Sequence, residues 1–334
     1  MTAVSRGATD PGFAGLQRHL RAVAPDASAV GDGPAILDPY SSAGDAPRLV
    51  SATVVEGGVL RARRVLGDPE VAFAAFLDGT QTSRVLAHAD GVPILHGTVA
   101  AVVRIRRNRR LTTWGRPVVL RRLYAPLKVL TTAWHEAIAS LGVVVVDTTA
   151  GPFDLAAPLP HPFILRDAAV HRVQQDREAA EQELAESWCA HEKAPLFIDG
   201  GISGSERVAV SACTVGVVKS HRTLYAEGEA LQTVLRLRPG ERSSVFRITS
   251  PKRTTVASWY LRLRDAAGHD PMWGLVRVEI AQPNRVDEPQ LGKRADEVSR
   301  WILSEVTPLA LPDARWDKMV YGIRDCEEFL RAVT

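Results

Sequence analysis

Two segments of this 334-residue chain share one design. Phe73-Ala74-Ala75-Phe76-Leu77-Asp78-Gly79-Thr80 is apolar up to a carboxylate, and Pro195-Leu196-Phe197-Ile198-Asp199-Gly200-Gly201 repeats the pattern. Each reads as a buried strand that ends at its aspartate. An ionised carboxylate buried beside such a run is costly unless it is paired or holds a cation. The glycine that follows allows a sharp turn or a close approach by backbone or ligand. Two such strands side by side bring both carboxylates to one end of a sheet. There they suit Mg²⁺ or Mn²⁺, which prefer oxygen ligands, and clusters of this kind serve metal-assisted hydrolysis of phosphodiesters. Asp-Gly is equally a common turn signal, so the pair alone leaves turn and ligand both open.

Further groups bear on that choice. Glu178 and Glu181 stand three residues apart, on one face of a helical segment that leads into the Asp199 strand. Either is a third carboxylate for a metal, and either is also compatible with a solvated acidic face. Gly216-Val217-Val218-Lys219 follows, and a lysine at the end of a buried strand is placed to clamp a phosphate or to snorkel to water. Charge is uneven. From Gly91 to His135 there is no acid, while Arg104, Arg106, Arg107, Arg109, Arg110, Arg116, Arg121, Arg122 and Lys128 all fall there. Between Arg207 and Arg264 the acids are Glu227, Glu229 and Glu241 only. Such clustering is the footprint of a polyanion-binding surface, although the formal net charge is only +3. No Ser-His-Asp, HExxH or CxxC arrangement stands out, and no GxxxxGK[ST] is present, so the chain is not itself a P-loop ATPase. His161 and His171 flank Arg166 and read as structural.

The elements that must position these residues follow from periodicity. A helix is expected over Phe13–Val23 within a Gly-, Ala- and Pro-rich arm, 1–48. Strands are expected at Leu49–Val54, Gly58–Val65, Val92–Arg106, Val143–Asp147, Leu196–Ile198, Val208–Lys219, Val234–Leu237, Ser244–Ile248, Val256–Arg264 and Leu275–Ile280. Val71–Leu77 forms one ending at Asp78. Helices are expected at Thr131–Leu141, at Asp167–Ala190 with Asp167 as N-cap, at Lys293–Glu305 and at Asp325–Ala332. The order predicts a mixed α/β sheet flanked by helices, with a β-rich N-terminal elaboration. The apolar fraction of 46% suits a globular core, and no run reaches the length of a membrane span. The N-terminus lacks an apolar signal core. Cys189, Cys213 and Cys326 are odd in number and far apart in sequence. That fits a reducing cytoplasm and argues against a disulfide framework or zinc cluster.

Taken together, LFIDGGISGS, VAVSACTVGVVKSH, WGLVRVEI and YGIRDCEEFLRA, in that order and after FLDGT, resemble the NurA nucleases. The similarity covers roughly residues 70–332. It implies an RNase H-like core, a Mn²⁺-dependent (or Mg²⁺-dependent) DNA nuclease, a homodimer, and partnership with HerA, a hexameric DNA-translocating ATPase. The role implied is DNA end processing or anti-phage defence. Under this resemblance 49–334 is the nuclease domain with an insertion at about 90–165, and the arm 1–48 is placed against the ATPase. The metal site of the family carries over as Asp78, Asp199 and a helix glutamate, Glu178 or Glu181. The family's C-terminal histidine is absent. Its place falls at Glu327, with Asp325 close by and Asp296 on the preceding helix as a contender. Lys219, Arg104, Arg106, Arg107, Arg109 and Arg110 are the DNA-backbone contacts implied. The missing histidine keeps a second reading in play, a catalytically weak or inactive scaffold that binds DNA and HerA.

Overall fold

A computed structural model describes residues 12–25, 47–150, 160–282, 287–306 and 321–334. In chain order the helices are α1 (Gly12–Val23), α2 (Thr132–Ala139), α3 (Pro162–His191), α4 (Glu206–Ala209), α5 (Gly228–Leu235), α6 (Glu288–Ser304) and α7 (Tyr321–Val333). The strands are β1 (Arg48–Leu49), β2 (Thr53–Val54), β3 (Ala62–Arg64), β4 (Ala75–Ala89), β5 (Val92–Arg107), β6 (Arg110–Ala125) and β7 (Val145–Asp147). They continue as β8 (Leu196–Asp199), β9 (Thr214–Val218), β10 (Thr223–Leu224), β11 (Glu241–Ser243), β12 (Phe246–Ile248), β13 (Val256–Arg262) and β14 (Leu275–Ala281). The chain interleaves between two compact units. One comprises 1–44, 81–100 and 119–177, and the other 45–80, 101–118 and 178–334. β4, β5, β6 and α3 each give one part to either unit.

The larger unit is a mixed sheet flanked by helices. Its order runs β2-β12-β13-β14-β9-β8-β4-β5-β6, with β11 joining β13 to β3. β13 pairs antiparallel with β14 from Val256↔Ala281 to Arg262↔Leu275. Pairing turns parallel at β9, β8 and β4. Parallel neighbours need a crossover, and residues 200–213 with the short helix α4 supply it between β8 and β9. Ser205 caps α4 by accepting from the Val208 N–H. β13 is buried along its whole length, as a strand covered on both faces must be. α6 buries Leu291, Ala295, Val298 and Ile302 at helical spacing, and its Ser299 accepts a hydrogen bond from the Trp259 indole of β13 at 3.0 Å.

Two buried arginines hold this unit together. Arg242 on β11, 2% exposed, donates to Glu56 at 2.7 and 3.0 Å, to Asp296 at 2.6 Å and to the Gly292 carbonyl at 3.1 Å. It thereby ties the loop before β3 to α6. Removing one partner of such a buried pair strands the other charge and costs about 3–5 kcal/mol. Asp296 is committed to this network, so it is not offered to a metal. Arg262 instead donates to carbonyls of Leu235, Leu237, Pro271 and Trp273, which satisfies the open C-terminal end of α5.

The smaller unit closes its own core with Leu16, Leu20, Leu86, Leu123, Trp134, Ile138 and Leu165. Within it, Asp176 accepts from the Tyr124 hydroxyl at 2.8 Å and from Arg122 at 2.7 Å. Burial and the Asp176 carboxylate push the Tyr124 phenol up.

Several sequence expectations are corrected. β4 does not stop at Asp78; it runs on through Asp78-Gly79 to Ala89, so this Asp-Gly is neither a turn nor a strand end. Val208–Lys219 is not one strand, because α4 takes its start and β9 begins at Thr214. Val234–Leu237 closes helix α5 rather than forming a strand; the apolar Leu231, Val234 and Leu235 share a helical face. Asp167 is not an N-cap. α3 starts at Pro162, where proline is favoured, the His161 Nδ1 accepts from the Phe163 N–H, and Asp167 pairs with Arg166. After β6 ends at Ala125, the chain makes a 3-10 turn at Leu127–Val129. Of the arm 1–48, residues 1–11 and 26–46 lie outside the described residues. Among the described residues no helix is long and apolar enough to cross a membrane.

Candidate metal centre

The site lies in the larger unit, where β4, β8 and β9 run side by side. The register Ala75↔Leu196, Phe76↔Phe197, Leu77↔Ile198, carried one step further, sets Asp78 level with Asp199. Asp199 in turn pairs with Val217, two residues before Lys219. Beneath them Phe73, Phe76, Phe197 and Trp301 form a ring cluster with centroids 5.2–6.1 Å apart. Such apolar packing fixes the two strands rigidly and withholds water from the first carboxylate.

The two glycines do different work. Gly200 has φ +138°, a conformation that L side chains rarely adopt, and turns the chain sharply after Asp199. The turned loop folds back over β9, where a side chain at Gly216 would stand 2.7 Å from the Gly200 carbonyl. Buried Glu279 of β14 anchors the loop by accepting from the Ile202 N–H at 2.9 Å, and itself pairs with Arg277. Gly79 makes no turn. It leaves room for Glu181 of α3, whose Oε1 would lie 2.2 Å from a side-chain carbon at position 79.

That contact separates the two candidate helix glutamates. Glu181 is half-buried against Gly79, whereas Glu178 is exposed one turn earlier. The helix is seated by Ala180, Leu184, Ala185 and Trp188, all buried. Trp188 also donates to the Ala194 carbonyl and packs edge-on against Trp114 at 5.1 Å.

Asp78 is 7% exposed, and its Oδ1 accepts from the Gly79 N–H at 2.8 Å. Burial, foremost, holds its carboxyl well above the usual range; the negative charges of Asp199 and Glu181 push the same way, and Lys219 opposes them. The Lys219 ammonium lies 2.6 Å from Asp199 Oδ2. Three acids therefore bear on one another with one lysine set against them. This donor set fits a hard divalent cation, which takes carboxylate oxygens and would relieve their repulsion. Among the described residues no three acid, histidine or cysteine side chains already stand close enough to enclose an ion. Lys219 supplies the positive charge at Asp199 instead.

α7 lies directly on β4, with Gly322 against the Phe76 ring and the Cys326 thiol donating to the Phe76 carbonyl at 3.5 Å. Burial raises the Cys326 thiol, and the charges of Asp78 and Asp325 add to that. Cys326 thus sits against Phe76, two residues before Asp78, a position that sequence reasoning missed because a lone buried thiol carries no motif. Glu327, one residue on, pairs with Arg331 at 3.3 Å and is not among the charges acting most strongly on Asp78. Asp325 is taken by Arg104 at 2.5 Å.

The arginine-rich segment also divides. Arg104 donates to Asp325, Thr113 and the Leu111 carbonyl and stacks on Phe329. Arg106 makes a two-point pair with Glu305 at 2.9 and 2.7 Å over the Phe76 ring. These two are structural clamps. Arg107, Arg109 and Arg110 are exposed at the β5–β6 hairpin, whose two turn residues Asn108 and Arg109 have φ 49° and 62°. No family model matches the chain, and no curated protein matches it either.

Proposed function

We propose that the chain is a metal-dependent DNA nuclease of NurA type, with an RNase H-like core. The observation that carries this reading is the buried Asp78, level with Asp199 on the neighbouring strand and with Glu181 seated against Gly79. A fold gains nothing in stability from forcing three acids together, so their convergence is better accounted for by a cation that they hold in function. Asp78, Asp199 and Glu181 would hold Mn²⁺ or Mg²⁺, which when bound supplies Lewis-acid polarisation of a phosphodiester. The resemblance names Glu327 as a fourth ligand; its pairing with Arg331 leaves it outside our set.

The chain's own groups do the rest. The aromatic bed under Asp78 excludes water from one side. Glu279, through the Ile202 N–H, keeps the loop after Asp199 in place. Lys219, with three donors on a flexible stem, exchanges Asp199 for a substrate phosphate oxygen. Arg107, Arg109 and Arg110 hold the DNA backbone without reading sequence. A HerA-type translocating ATPase as partner, a homodimer as working form, and a role in end processing or anti-phage defence belong to the same reading and rest on the motif resemblance.

Purified protein with Mn²⁺ and linear DNA, with and without its ATPase, tests it. Wild type cleaves, Asp78→Asn and Glu181→Gln do not, and Glu178→Gln and Glu327→Gln do. The Lys219–Asp199 pair and the missing histidine favour one rival, the inactive scaffold. It predicts DNA binding that Asp78→Asn leaves unchanged, with no cleavage under any of these conditions.

A further inference from the structure

The connection between β13 and β14, residues 263–274, is built around the buried Arg262. This side chain donates to the Pro271 carbonyl at 2.9 Å and the Trp273 carbonyl at 2.5 Å on the connection. It also donates to the Leu235 and Leu237 carbonyls at the end of α5, at 2.9 and 3.1 Å. One guanidinium thus holds the two segments side by side. The connection is braced within itself. Asp265 Oδ1 accepts from the Ala267 N–H at 3.0 Å, Asp270 Oδ1 from the Met272 N–H at 2.8 Å, and Leu263 N–H donates to the Gly274 carbonyl at 2.7 Å. On this frame the His269 ring lies over the Trp273 ring, with centroids 4.3 Å apart and planes within 10° of parallel. His269 is exposed and Trp273 half-buried. Arg236 and Arg238, on either side of the Leu237 that Arg262 holds, are exposed as well. Among the described residues neither of their side chains is paired with an acid.

We propose that His269 and Trp273 form a stacking platform for a base of single-stranded DNA, with Arg236 and Arg238 on the adjoining phosphates. The assignment rests on the nuclease reading and adds to it how an unpaired strand is held beside the metal centre. Register supplies the placement. β13 and β14 pair up to Arg262↔Leu275, β14 runs antiparallel to β9 with Arg277↔Val218, and Asp199 pairs with Val217 of β9. The connection therefore caps the end of the sheet at which Asp199 closes β8. β14 lies two strands from β8, about 10 Å across the sheet. A flat ring pair held on a braced loop is pre-set for stacking, which every unpaired base can do on its π-face. In a duplex those faces are already covered by neighbouring bases. The two carboxylates of the connection, Asp265 and Asp270, are turned back onto its own N–H groups, and the arginines alongside match the charge of a phosphate backbone.

Fluorescence anisotropy of a labelled oligothymidylate, titrated with the metal-free full chain in EDTA, reads the platform without cleavage. Wild type binds the single strand. His269→Ala and Trp273→Ala each weaken that binding about 5-fold to 100-fold, the loss of one base–aromatic stack. His269→Tyr and Trp273→Phe keep a flat ring in place and bind as wild type does. His269→Ala leaves binding of the oligothymidylate–oligoadenylate duplex unchanged. Replacing Arg236 and Arg238 together by alanine flattens the slope of log K against log salt by about 1.4. The exposed His269 is replaced without loss of melting temperature, so its variant decides the matter even where Trp273→Ala does not fold. The proposal is overturned if wild type does not bind the single strand, if folded His269→Ala binds it as tightly as wild type, or if that variant loses single strand and duplex alike. Asp78→Asn leaves this metal-free binding unchanged. A failed platform beside intact Mn²⁺-dependent cleavage sinks this assignment alone, and absent cleavage beside an intact platform sinks the nuclease reading alone.

Discussion

Replacing Gly79 by alanine perturbs the site without altering any carboxylate. The backbone at 79 lies outside the left-handed region, so alanine fits the strand. The added carbon would stand 2.2 Å from Glu181 Oε1 and 2.9 Å from its Cγ and Cδ, against 3.4 Å for ordinary contact. The Glu181 carboxylate must therefore withdraw by at least about 1 Å, while β4 and α3 stay in place. Moving one group of a reacting constellation that far costs about 100-fold in rate. Stability changes little, because the far end of a flexible side chain gives way and alanine costs less entropy than glycine. Gly79→Ala should hold its melting temperature within about 4 °C of wild type. Its Mn²⁺ affinity, measured by calorimetry, should fall about 10-fold or more, with turnover on linear DNA down about 100-fold. Unchanged affinity and turnover in a folded Gly79→Ala protein would refute Glu181 as a member of the site.

Three other outcomes follow from the same geometry. Asp78 has a folded-state carboxyl raised above its unfolded value, so its contribution to stability falls as pH rises from the ordinary carboxylate range through the folded value; Asp78→Asn should therefore raise the metal-free melting temperature at neutral pH while abolishing Mn²⁺ binding. Burial lowers His221 from 6.5 to about 4, and its Nε2 bonds to the Leu275 carbonyl at 2.9 Å. Its contribution is full above the unfolded value and is lost as pH falls through that window, on the order of 3 kcal/mol; urea titrations between pH 7 and 4 read the loss, which His221→Gln should blunt. Changing Arg107, Arg109 and Arg110 together to alanine should weaken DNA binding uniformly across sequences and flatten the salt dependence of log K by about 2 to 3; an unchanged slope places DNA elsewhere.

How much of this was legible in the sequence depends on the range of the interaction. The Asp199 strand and its glycine turn are local, and both are where an apolar run followed by Asp-Gly-Gly places them. The Asp78 segment has the same letters but a different outcome. Whether Asp-Gly turns the chain or continues it goes with long-range pairing: β4 runs on to Ala89 beside β5, and Glu181, from a helix about 100 residues later, fills the space beside Gly79. Periodicity puts Glu178 and Glu181 on one helix face and cannot separate them; packing of Ala180, Leu184 and Trp188 does. Arg104 and Arg106 look like their neighbours in a basic run, but long-range partners, Asp325 and Glu305, turn them inward. Likewise Asp296 is claimed by Arg242, 54 positions away. The apolar Val234 reads as strand by residue type, yet the sequence Gly228–Leu235 buries it as the face of a short helix.

The central claim is that Asp78, Asp199 and Glu181 hold a divalent cation. Calorimetric titration of the metal-free protein with Mn²⁺ at neutral pH tests it most directly. Saturable binding is predicted, because three converging carboxylates form an oxygen donor set for a hard divalent cation. Asp199→Asn should abolish the binding heat. No saturable binding to wild type, or equal binding to Asp199→Asn, would contradict the account.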